Sequence, residues 1–98
     1  MKTRVYACPD GFDHHPPDGH PEHAGRLEAV LAGAQASGVE ILESRTPAPR
    51  AALERVHTAD HVDRIFTAAP PAGQVALDGD TWMSPASLDA ALAAAGAG

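Results

Sequence analysis

Two short β-like runs, Arg4-Val5-Tyr6-Ala7 and Val39-Glu40-Ile41-Leu42-Glu43, flank one helical stripe, and this order constrains the fold more than anything else in the chain. The stripe is Leu27, Val30, Leu31 and Ala34, which recur at i, i+3, i+4 and i+7. A strand, a helix and a second strand join most simply as a β-α-β unit, whose crossover makes the two strands parallel. Pro21 suits the first turn, where its missing N–H costs nothing, and Glu22 suits the positive end, so the helix is expected from Pro21. Ser37-Gly38 is its natural stop, with Gly38 free to take the left-handed cap. Residues 9 to 20 hold three of the nine prolines and two glycines, and read as a long ordered loop. Such loops in compact domains usually serve a function.

Further along, Pro49 to Val56 reads as a short helix starting at proline. Thr58 is expected to cap another, in which Val62, Ile65 and Phe66 share a face until Pro70-Pro71 ends it. Gly73 to Met83 is expected to be irregular. Ser84 is expected to cap a final helix with Pro85 at its first position, and Leu88, Ala91, Leu92 and Ala95 form the stripe expected to be buried. No repeat or flexible linker divides the chain, so residues 1–98 read as one unit.

The core is the weak point of that unit. Of 43 apolar residues 21 are alanine, leaving only 21 of the large types Leu, Ile, Val, Met, Phe, Trp and Tyr. Small cores seldom leave more than about 3–5 kcal/mol of net stability in chains below roughly 80 residues, and this slightly longer chain, poor in large side chains, sits near that limit. It is expected to be part of a bigger core: residues 1–98 read as an incomplete portion of a larger α/β domain.

A net charge of −6 without any Lys/Arg cluster argues against nucleic acid, whose phosphates need grouped cations. The single Cys8 fits a reducing compartment. No stretch approaches the ~20 apolar residues that span a bilayer, and no signal-peptide region is apparent, so no membrane partner and a cytoplasmic location are expected.

Four patches, in order, resemble the zinc-dependent histone deacetylase and acetylpolyamine amidohydrolase superfamily. They are His20-Pro21-Glu22 with Arg26-Leu27; Thr46-Pro47-Ala48-Pro49 with Leu53-Glu54-Arg55-Val56-His57-Thr58; Asp60-His61-Val62-Asp63-Arg64-Ile65; and Leu77-Asp78-Gly79-Asp80-Thr81-Trp82-Met83-Ser84-Pro85-Ala86-Ser87. The resemblance implies the N-terminal portion of a parallel-sheet, three-layer α/β fold of the arginase/deacetylase type. It also implies hydrolysis of an acetyl amide on lysine or a polyamine by zinc-bound water, and the acidity of the chain is compatible with such cationic substrates. The family's zinc ligands, paired catalytic histidines and transition-state tyrosine lie beyond the matched patches. No catalytic residue and no metal ligand is therefore expected in this chain, which is expected to be inactive alone and to have the remainder of its own polypeptide as partner.

By the same resemblance, Asp80 is the first candidate for a substrate contact at the pocket rim, with Asp78 its rival and a turn-stabilising carboxylate the plain alternative. Arg26 corresponds to an arginine facing a product channel, where a guanidinium could hold carbonyls or a carboxylate. His20, Pro21, Glu22, His57 and Thr58 are read as structural, the last two as a helix cap with a packed imidazole. Trp82 fits a pocket rim or a half-buried core position equally. His14-His15 is not read as the catalytic pair, because it follows Asp13 in the first loop; a place near the pocket mouth is expected, with the loop's polar groups capping the helix and contacting later parts of the fold. Two other functions stay open: a small acidic binding module that reuses this segment as a scaffold, and a metal binder using the His-rich loop.

Overall fold

The computed structural model describes residues 2–97. Strand β1 (Arg4–Ala7) leads through a 3-10 turn (Pro9–Asp13) and an extended segment to helix α1 (Ala24–Ala36) and strand β2 (Glu40–Glu43). Helices α2 (Arg50–Glu54) and α3 (Ala59–Ala68), the hairpin β3 (Val75–Ala76) and β4 (Trp82–Met83), and helix α4 (Ser87–Gly96) follow. β1 and β2 pair in parallel with Val5 opposite Ile41 and Tyr6 opposite Leu42. The expected β-α-β opening is present, and the architecture is α/β with a small parallel sheet. Gly38 takes the left-handed cap at φ 77°.

α1 begins at Ala24, three residues later than expected. His23 is extended at φ −84° and ψ 158°, and the Glu22 N–H donates to His20 Nδ1 at 3.1 Å. Pro21 and Glu22 thus belong to a local turn made by the His20 ring. Leu27, Leu31 and Ala34 of the expected stripe are half-buried, whereas Val30 is 58% exposed.

α3 forms as expected, with Thr58 Oγ1 accepting from the His61 N–H at 3.2 Å. Arg50 ties α2 to α3: it bonds Glu54 and Asp63 and lies over the Phe66 ring, 5.4 Å from its centroid. Hydrogen bonds to Glu54 first and Asp63 second raise the pKa of its guanidinium above the ordinary value.

Two expectations for the C-terminal part are corrected. Residues 73–83 are not wholly irregular, because Val75 and Ala76 pair antiparallel with Met83 and Trp82. Ser84 does not cap α4: the N-cap is Ala86, without a side-chain bond. The Ser84 hydroxyl is drawn to His15 and Ser87 instead.

The buried face of α4 also differs from the expected stripe. Ser87, Ala90 and Ala93 are buried, on a helix whose main packing partner is the 3-10 turn. Leu88 and Leu92 are half-buried and Ala91 and Ala95 exposed, along a groove of about 230 Å³ shared with Val62 and Phe66. Small residues allow α4 to approach closely. The Cys8 thiol donates to the Ala93 carbonyl at 3.4 Å, and the Ala48 N–H to the Leu92 carbonyl at 2.9 Å. The first of these supplies a donor to a last-turn carbonyl that lacks one within its helix.

The buried apolar side chains among the described residues are Ala48, Val62, Met83, Ala90 and Ala93, so three of five are alanines. Tyr6 is 45% and Val56 79% exposed. No helix of the described residues is long and apolar enough to cross a membrane.

Candidate substrate and product contact site

The hairpin loop is built by its first carboxylate. Asp78 Oδ1 accepts from the N–H groups of both Asp80 and Thr81 at 2.8 Å. The Leu77 N–H closes the loop on the Thr81 carbonyl at 2.8 Å. The Asp80 amide above all, then Thr81, holds the Asp78 carboxyl below its usual pKa. Hydrogen bonds to the ionised form favour that form. Asp78 therefore occupies the turn-stabilising place that the sequence offered to either aspartate.

Asp80 is held differently. Its carboxylate is 89% exposed, while its main-chain carbonyl lies 2.8 Å from His20 Nε2. The His20 side chain is only 12% exposed, and Asp80 Oδ1 is 3.1 Å from the same nitrogen. Proton accounting fixes the tautomer of neutral His20. Nδ1 receives the Glu22 N–H, so Nε2 carries the proton and donates to Asp80. Residues that the sequence singled out separately, His20 and Asp80, meet in one clasp. The Arg64 guanidinium donates to the Leu77 carbonyl at 2.9 Å and ties the same loop to α3.

Beside this loop lies a cavity of about 340 Å³ between the start of α1, the hairpin and α4. Leu27, Trp82 and Met83 contribute apolar wall, and Arg26, Glu22 and His14 contribute polar groups. Arg26 is partly exposed and bonds Glu22 Oε2 at 3.1 Å. An arginine on a largely apolar wall can hold a carboxylate or carbonyl oxygen. Trp82, half-buried, fits both of its expected positions at once by lining the cavity from β4.

A polar cluster closes the cavity from α4, and it brings the His14-His15 loop onto two serines that sequence reasoning did not single out as its partners. Ser84 and Ser87 are 2% and 5% exposed. The Ser87 hydroxyl lies 2.5 Å from His14 Nδ1 and 2.9 Å from the Ser84 hydroxyl. The Ser84 N–H donates to Ser87 Oγ at 2.7 Å, and the His15 N–H to Ser84 Oγ at 2.9 Å. The bonds from His14 and His15 join positions about seventy residues apart, so no local spacing announces them.

His57 is not packed as expected. It is exposed, with its ring 5.1 Å from that of His61 at a 38° tilt. It lies beside the groove between α3 and α4; the helix-capping part of the reading rests on Thr58 alone.

Zinc does not fit the side chains present. Among the described residues no three His, Cys, Asp or Glu groups gather to hold a metal, whereas zinc sites take three or four protein ligands. His14 is committed to Ser87 and His20 to Asp80 and Glu22.

No curated protein matches the chain. The model of the histone deacetylase domain matches residues 20–98. That span begins at the His20 clasp and takes in the hairpin loop, most of the cavity wall and α4, and on this match the chain belongs to the histone deacetylase domain family.

Proposed function

We propose that this chain forms the N-terminal substrate-side wall of a zinc-dependent deacetylase that cleaves acetyl amides of lysine or a polyamine. The observation that carries the proposal is the clasped loop: His20 holds the Asp80 backbone and leaves its carboxylate 89% exposed, on a loop whose Leu77 and Thr81 line the cavity. In this reading the Asp80 carboxylate accepts substrate N–H groups at the rim, since an ionised carboxylate only accepts. Arg26 faces the cavity that takes the carboxylate product, and its pairing with Glu22 orients the guanidinium. His20 and Asp78 are positioning residues. The metal and its ligands belong to another part of the catalytic domain, and the residues described here are inactive by themselves.

The open surfaces of the structure support a place within a larger three-layer fold. A two-stranded parallel pair with Tyr6 45% exposed is unusual, because parallel sheets are normally covered on both faces.

The experiment is hydrolysis of an acetyl-lysine peptide and of an acetylated polyamine by the intact natural polypeptide. Turnover of either, with KM raised about tenfold in Asp80→Ala, is the expected outcome. Failure to hydrolyse both when zinc is supplied would exclude this function.

A further inference from the structure

We propose that the Ser84–Ser87–His14 chain is a pH-sensitive latch, which holds the segment after the 3-10 turn on α4 only while His14 is neutral. Four contacts link the group: His15 N to Ser84 Oγ, Ser84 N to Ser87 Oγ, Ser84 Oγ to Ser87 Oγ, and Ser87 Oγ to His14 Nδ1. With a lone pair on His14 Nδ1, four protons serve them: two amide N–H and two hydroxyls. Ser84 O–H then donates to Ser87, and Ser87 O–H to His14, with no proton left over.

Protonation of His14 places a fifth proton among the same four contacts. Nδ1–H must donate to Ser87 Oγ, which already accepts from the Ser84 amide. The Ser87 hydroxyl then turns to Ser84, and the Ser84 hydroxyl proton has no partner. Ser84 is 2% exposed, so water cannot satisfy that proton without the latch opening. In the opened segment water satisfies the imidazolium and both hydroxyls, so protonation of His14 favours the open form.

The neighbouring groups do not substitute for this mechanism. Asp13 and His15 adjoin His14 on its own segment, and Glu22, His23 and Arg26 share its cavity from the α1 side. The hairpin meets the cavity with uncharged Thr81 and Trp82, and α4 carries the exposed Asp89. Among the described residues none of these forms an ion pair with His14. The consequence of opening is local: the segment bearing His14 leaves one wall of the cavity. The inference does not rest on the proposed deacetylase activity.

The test uses NMR on the intact protein. Nitrogen and carbon shifts of the His14 ring at pH 8 report its tautomer, and amide exchange, corrected for intrinsic rate, reports the latch at His15 and Ser84. The expected result is an Nε2–H tautomer at pH 8 and about tenfold loss of protection at both amides by pH 5. His14→Asn keeps an acceptor near the Nδ1 position and cannot titrate there, so its protection should change less than threefold. An Nδ1–H tautomer at pH 8, constant protection in the wild type, or the same loss in His14→Asn would each overturn the proposal. The tautomer is read from the wild type, so the test stands even if the variant folds poorly.

Discussion

His20 Nε2 lies 2.8 Å from the main-chain carbonyl of Asp80, joining the start of the matched family segment to a loop sixty residues later. The bond holds the backbone of Asp80, and its carboxylate, with Oδ1 3.1 Å from the same nitrogen, stays 89% exposed. His20→Ala should therefore loosen the loop without altering the charge at its tip. The expected loss is about 1 kcal/mol of stability by urea unfolding, the usual worth of one such bond. His20→Gln, which can still present an N–H, should recover part of it.

Asp78 gives the same loop a pH dependence. Its carboxyl pKa is lowered in the folded state, from an ordinary value of 3.8, chiefly by the Asp80 amide. A lowered pKa means stability that is present above the unfolded value and lost as pH falls through the folded one. Limited proteolysis near residue 79 should therefore accelerate below about pH 4, using an acid-active protease and a control for its own pH dependence. Asp78→Ala should show faster cleavage already at neutral pH and a flatter profile.

The last turn of α4 depends on a missing side chain. A Cβ on Gly96 would meet the Ala48 nitrogen at 2.7 Å and the Pro47 carbonyl carbon at 2.8 Å, both backbone atoms. Gly96→Ala should cost about 1–3 kcal/mol through forced displacement of that segment. At Gly33 on α1 a Cβ meets nothing within 4 Å. Gly33→Ala should instead stabilise the helix by up to about 1 kcal/mol. Thermal denaturation of both variants separates close packing from helix propensity.

Removing the α3 cap offers a further check. Thr58→Ala deletes the acceptor of the His61 N–H and should cost about 1 kcal/mol. Thr58→Ser should restore most of it, measured by the same unfolding transition.

What the sequence made legible was local. The parallel β1–β2 pair, the Gly38 stop and the Thr58 cap each follow from a few adjacent residues. The start of α1 was placed early because Pro21 and Glu22 favour a helix terminus, yet the His20 ring drew the Glu22 amide into a turn. Ser84 resembled a cap for the same kind of reason, and a contact from His15 took its hydroxyl. At the candidate site, Arg26 and Asp80 are candidates by family resemblance, while the bond between Ser87 and His14 has no signal in the sequence. A hydroxyl paired with a ring 73 residues away leaves no periodic trace.

The most direct test of the account is a double-mutant cycle on KM for an acetyl-lysine peptide, using the intact polypeptide. If His20 positions Asp80 for substrate, Asp80→Ala should raise KM about tenfold in the wild type but less than threefold in a His20→Ala background. An equal tenfold effect in both backgrounds, or no effect of either change, would contradict it.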